Sequence, residues 1–160
     1  ALAREFQRGA EDAGHEVFRF DTAFREVHPC IGCDRCRREG VCTFAADDMK
    51  RLNPHLLAAE AVVFVSPIYY FDLSAQLKAV IDRFYANDDA LHGGKRALLL
   101  TAMADEDLGA AEGADATFRS ICAYLQWENA GILNAASAST AEDLTEEDLR
   151  RAYDLGKDLK

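Results

Sequence analysis

With 160 residues, 49% of them hydrophobic, and a formal charge of −10, the chain has the size and apolar content of one folded domain spanning residues 1–160. That charge argues against nucleic acid and anionic membrane as partners, and the longest apolar runs fall far short of the roughly 20 residues that span a bilayer. Five cysteines and no signal-peptide pattern indicate metal or redox chemistry in a reducing compartment, the cytoplasm, rather than a disulfide framework.

In chain order, Ala1–Ala13 reads as a helix with Leu2, Phe6, Ala10 and Ala13 on one side, and Gly14 as its left-handed stop. Val17–Phe20 reads as a short strand. The connection from Asp21 to Glu60 is long for a crossover, whose loops run about 2–6 residues. It carries Cys30, Cys33, Cys36 and Cys42 in the pattern C-x2-C-x2-C-x5-C. Asp47 and Asp48 then open a helix through Leu52, which Pro54 is expected to kink or restart before Leu56–Ala59 closes it. The run Ala61–Val65 reads as a strand buried on both faces, stopped by Ser66 and Pro67. Pro67–Leu73 forms a turn loaded with large apolar and aromatic side chains. A helix begins at Ser74, whose hydroxyl caps it, with Leu77, Val80, Ile81 and Phe84 on one face.

After Gly93-Gly94, Arg96–Thr101 reads as another buried strand and Ala102–Leu108 as the loop at its carboxyl end. Phe118, Ile121, Cys122 and Leu125 share one face of the next helix. Ile132–Ala135 is the last strand. Thr145 and Asp148 have the form of a capping box for a final helix bearing Leu149, Ala152, Tyr153 and Gly156 on one side. Alternating helices and strands predict a parallel α/β sheet. Right-handed crossovers then place the loops after Phe20, Ser66 and Thr101 on one sheet edge, so the cysteine loop is expected beside the aromatic turn.

Two stretches can carry chemistry. In an open α/β sheet, an apolar turn at a strand's carboxyl end suits a flat hydrophobic ring; the same side chains also suit domain packing or a subunit interface. Three thiolates at i, i+3 and i+6 can wrap a corner of a cuboidal cluster, which favours iron–sulfur over zinc. Zinc recruiting His28, or a structural or redox thiol loop, stay open. Arg35, Arg37 and Arg38 either offset thiolate charge or form a solvated face. Cys122 reads as core, His15, His55 and His92 as surface, and Asp105-Glu106-Asp107 as solvated. No paired side chains demand a nucleophile.

The segment SPIYYFDLSAQLKAVIDR carries Ser66, Pro67 and Tyr69, then Ser74, Ala75, Leu77 and Lys78, then Asp82 and Arg83. In this it resembles the flavodoxin-like FMN oxidoreductases, the group of NAD(P)H-dependent FMN reductases and iron–sulfur flavoproteins, and the resemblance extends from about Gly14 to Leu133. It implies a three-layer, doubly wound parallel sheet of strand order 2-1-3-4-5. The first strand and the FMN phosphate loop are then expected upstream of Ala1. It further implies FMN held by Ser66, Pro67, Ile68, Tyr69, Tyr70 and Phe71 on one side and Thr101, Ala102 and Met103 on the other, with no catalytic side chain. Electrons would come from NAD(P)H or a reduced, ferredoxin-like carrier, with Cys30, Cys33, Cys36 and Cys42 ligating a [4Fe–4S] cluster in a homodimer or homotetramer. The rivals are an electron-transfer module without NAD(P)H turnover and a metal–thiolate or thiol sensor on the same scaffold.

Overall fold

The computed structural model describes residues 1–159. Its elements are α1 (Leu2–Asp12), α2 (Arg35–Glu39), α3 (Met49–Ala58), β1 (Ala61–Tyr69), β2 (Asp72–Leu73), α4 (Ala75–Asp82), α5 (Asp88–Leu91), β3 (Arg96–Ala102), α6 (Glu112–Leu125), β4 (Glu128–Ala135) and α7 (Glu146–Lys157). The sheet order is β2-β1-β3-β4, with β1, β3 and β4 parallel and β2 a short antiparallel return from β1. The parallel trio matches the 3-4-5 run of the expected order. Alternation along each strand divides the core into two layers. Phe64, Ala97, Leu99 and Trp127 pack with α3, α4 and α6 on one face. Leu98, Leu100, Leu133 and Ala135 pack with α1 and α7 on the other.

Several expectations shift. Val17–Phe20 forms no strand among the described residues; Val17 and Phe20 instead pack at the margins of the two core layers. β1 does not stop at Ser66 but runs through Pro67 to Tyr69, with Pro67 opposite Ala102 of β3. Among the described residues the outer side of β1 pairs only with two-residue β2, at the carboxyl end where Pro67 leads into the hairpin. Among the described residues β1 is not buried on both faces: Val65 is 37% exposed. α3 passes through Pro54 unbroken, because burial of Met49 and Leu56 at its two ends outweighs one forfeited backbone bond.

The cap expectations match local chemistry. Ser74 Oγ accepts the backbone N–H of Leu77, and Thr145 and Asp148 form a reciprocal capping box on α7. α1 and α7 cross at two glycines. A Cβ on Gly9 would lie 2.0 Å from the Tyr153 carbonyl oxygen, and one on Gly156 would lie 2.1 Å from that of Phe6. Both contacts are to backbone, so neither helix can yield without moving as a whole. Gly156→Ala is therefore expected to lower unfolding stability by about 1–3 kcal/mol despite alanine's better helix propensity. Urea titration reads this as a lower midpoint at unchanged slope.

Candidate functional site

The carboxyl end of β1 is built around the Ser66 hydroxyl. Buried, it accepts the Ser74 N–H at 2.9 Å and donates to the Pro67 carbonyl at 2.7 Å. One side chain thus ties the strand end to the start of α4. Between them the chain turns in a two-residue hairpin, Tyr69 opposite Asp72, with Tyr70 at φ +48° and Phe71 at φ +67°. Two positive-φ centres make the tight hairpin that Asn-Gly normally supplies; with aromatic residues each costs about 1–3 kcal/mol.

Such strain persists only where neighbours over-determine it. Here Asp72 accepts the Leu73 N–H at 2.7 Å and the Thr117 hydroxyl of α6 at 3.3 Å. α6 also presents Gly113 to the tip: a Cβ there would lie 2.2 Å from the Phe71 carbonyl oxygen. The hairpin is rigidly braced, yet it holds its rings in solvent, with Tyr70 99% exposed and Tyr69 and Phe71 mostly so.

Across from it, Thr101 is fully buried and donates its hydroxyl to Asn134 Oδ1 at 2.7 Å. Asn134 Nδ2 donates to Asp115 of α6, which also accepts Arg119. Met103 is buried with Ala110 and Ala111. The side chains of Thr101 and Met103 therefore work inward, stiffening the ends of β3 and β4, while Ala102 is only half-buried. Asp105 and Asp107 are not merely solvated: Asp107 accepts the Gly109 N–H, and the Asp105 carbonyl receives the Ser137 N–H.

The cysteine loop lies elsewhere. Its anchors are on residues 83–89, at the far end of α4 from the hairpin, about 13 Å away by helix rise from Ser74 to Arg83. The expected juxtaposition on one sheet edge is overturned, because after the turn at Thr22–Phe24 the chain runs down alongside α4 rather than staying at the strand ends. All four loop cysteines are free; Cys30 and Cys33 are exposed, Cys36 and Cys42 half-buried. Gly32, Asp34 and Gly40, all at positive φ, fold the loop around short α2. Cys33 Sγ lies 3.2 Å from Thr43 Oγ1, and this hydrogen bond, with a backbone one from Arg35, holds its thiol below the usual range. Burial pushes the Cys122 thiol up, in keeping with its place in the core. Among the described residues no three His, Cys, Asp or Glu side chains converge as a metal site. His28 stacks on Phe44 at 4.8 Å.

Arg83 and Asp47 form a pairing at the cysteine loop that sequence reasoning missed. Arg83 stood only as part of the Asp-Arg motif and Asp47 only as a helix opener. Their side chains form a buried ion pair at the neck of the cysteine loop. Gly113 was missed too, although a glycine within a helix is a signal of close approach. An open groove of about 530 Å³ lies between α4 and α6, lined by Lys78, Ile81, Thr117 and Tyr124.

The sequence model of one family, described as NADPH-dependent FMN reductase, matches residues 1–138. An iron–sulfur flavoprotein of Methanocaldococcus jannaschii is 35% identical over 82 residues, 51% of this chain and 42% of that one. An FMN-dependent NADH:quinone oxidoreductase of Methylorubrum extorquens is 30% identical over 126 residues, 69% of this chain and 62% of its own. The matches thus span less than two thirds of these relatives' lengths. Among solved structures, azoreductase AzrA superposes with a TM-score of 0.70 at 20% identity, covering 98% of this chain and 89% of that one, which establishes the flavodoxin-like fold. Because the brace on the hairpin is steric, Gly113→Ala is expected to release the tip. Limited chymotrypsin digestion should then cut after Tyr70 or Phe71 about tenfold faster than in the parent.

Proposed function

Because the chain belongs to the NADPH-dependent FMN reductase family, we propose that it is an FMN-dependent oxidoreductase that takes electrons from NAD(P)H or a reduced, ferredoxin-like carrier. The observation that carries the reading is the braced hairpin. Backbone strain is held in place to present Tyr69, Tyr70 and Phe71 at a strand's carboxyl end, where open α/β sheets bind ligands. FMN supplies the electron chemistry when bound. The chain's part is to hold it: the backbone of Ser66–Phe71 on one side and of Thr101–Met103 on the other, with Tyr69 or Tyr70 against the ring.

The rigid hairpin fixes the ring's approach, and the inward network of Thr101, Asn134 and Asp115 keeps the opposite strand ends from yielding. The aromatic rings exposed beyond what one flavin covers support a homodimer or homotetramer. The test is NAD(P)H oxidation by the full-length protein with added FMN. Turnover that depends on FMN is expected, with Tyr70→Ala weakening FMN about 3- to 10-fold as the stacking contribution is lost. Absence of FMN fluorescence quenching at micromolar protein overturns the reading; bound FMN without NAD(P)H oxidation assigns an electron-transfer module instead.

The cysteine spacing and the iron–sulfur flavoprotein relatives support a second element, a [4Fe–4S] cluster on Cys30, Cys33, Cys36 and Cys42. The thiols do not converge as placed, so holding a cluster requires the loop to tighten. Anaerobically reconstituted protein is expected to carry about four iron and four sulfide per chain. A stoichiometry near zero, unchanged by Cys36→Ala, leaves a thiol loop on a plain flavin enzyme.

A further inference from the structure

The chain on either side of the cysteine motif is gripped at its base by a side chain that contains no sulfur. Arg83, 4% exposed, follows α4 and directs its guanidinium away from its own helix. Nη1 donates to the His28 carbonyl at 2.8 Å and Nη2 to the Phe44 carbonyl at 3.1 Å. Both terminal nitrogens also face the buried Asp47 carboxylate, Nη1 at 2.5 Å. His28 stands two residues before Cys30, and Phe44 two residues after Cys42. The same guanidinium therefore grips the chain on either side of the motif. Asp47 completes the knot by accepting the His28 N–H at 3.1 Å, and Asp48 accepts that of Glu26 at 3.0 Å. The stacked rings of His28 and Phe44 lie within it.

We propose that Arg83 is a positioning residue of the cysteine loop: by bridging the carbonyls of His28 and Phe44 it closes the neck and sets how near the thiols on the two arms stand. The inference rests on reading the loop as a thiol site, and it does not depend on which metal or cluster the thiols hold. The planar fork of arginine is what the role needs. It reaches two carbonyls and a carboxylate at once, which a point-charge ammonium cannot do. Without the fork the arms are joined at the neck only by the bonds of His28 to Asp47 and of Glu26 to Asp48, and the segment beyond them gains freedom that opposes the encounter of its thiols. Across the loop, the nearest marker of their proximity is the 3.2 Å approach of Cys33 Sγ to Thr43 Oγ1, beside Cys42.

The experiment uses the full chain carrying Cys30→Ser and Cys36→Ser, so that Cys33 and Cys42 are the only loop thiols. The probe is phenylarsine oxide. Its arsenic forms two As–S bonds while the oxide oxygen leaves with both thiol protons as water, so tight capture reports two thiols held together. Cys122, buried in the core, is the internal control, because its alkylation reports unfolding. With one arsenical captured per parent chain, Arg83→Met is expected to weaken capture about tenfold or more, since the effective concentration of one thiol at the other falls. Arg83→Lys, which keeps a cation beside Asp47 but not the fork, should weaken it as well. Cys122 should remain protected in the variant that is read. If Arg83→Met exposes Cys122, Arg83→Lys is read in its place. Capture equal to the parent's in a variant with protected Cys122 overturns the proposal. So does a parent chain that captures no arsenical, or exposure of Cys122 in both variants, which makes Arg83 a general clamp of the core. Iron and sulfide analysis is separate, so loss of the cluster reading leaves this result standing, and the reverse also holds.

Discussion

The cysteine loop is held by charge rather than by apolar burial. Between Pro29 and Thr43 no side chain is buried, and Ile31 and Val41 stand largely in solvent, so the hydrophobic effect contributes little to fixing this segment. The buried Arg83–Asp47 pair takes over that task. Removing two charges from water costs several kcal/mol, and the geometry offsets it by satisfying both carboxylate oxygens and two backbone carbonyls at once. A second, more exposed latch ties α2 to the same region. Arg37 reaches Asp88 and Asp89, Tyr85 donates to Asp34, and Tyr124 of α6 donates to Asp88. These carboxylate hydrogen bonds push the hydroxyls of Tyr85 and Tyr124 above the usual phenol range.

α4 is the strut between two specialised ends. At its start, Ser66 and Ser74 fix the hairpin; just past its end, Arg83 fixes the loop. The two ends use opposite devices. The hairpin tolerates backbone strain because α6 blocks its relaxation at Gly113, whereas the loop avoids strain by placing glycine at two of its three positive-φ positions and Asp34 at the third. The aromatic rings are thus held by a rigid backbone and the thiols by polar tethers.

Much of this was legible from residue order. The apolar run Arg96–Thr101 and the helical periodicity of Phe118–Leu125 set one strand and one helix, and the Ser74 and Thr145 caps are written in local hydrogen-bonding chemistry. The aromatic turn is placed at the strand's carboxyl end because it follows the apolar run Ala61–Val65, and its composition, unlike that of a surface loop, suits a flat ring or a packed interface. The hairpin inside that turn was not legible, since Tyr-Phe is a poor pair for two positive φ angles and only α6, some 40 residues later, enforces them. Nor was the neck of the cysteine loop. Arg83 and Asp47 are 36 residues apart, and pairing across that distance leaves no periodic trace. Thr101 and Met103 were expected to face a ligand from their place at a strand end. Their side chains went inward because Asn134 and the Ala110–Ala111 turn offered partners there.

The glycine crossing of α1 and α7 also bears on where the fold can be cut. The family match ends at residue 138, before α7 begins at Glu146. Yet α7 lies backbone to backbone on α1, and Ala152 is wholly buried in the layer that covers Leu98, Leu100 and Leu133. A shortened chain ending at the family boundary would keep every residue of the hairpin and the cysteine loop and still lose one of the two helices that cover this face of the sheet. It would lay bare a stripe of aliphatic side chains along β3 and β4, together with the inner side of α1. Such a surface drives association between chains. The hairpin and the cysteine loop on the one hand, and the helix that covers this face of the sheet on the other, are therefore encoded in different portions of the sequence.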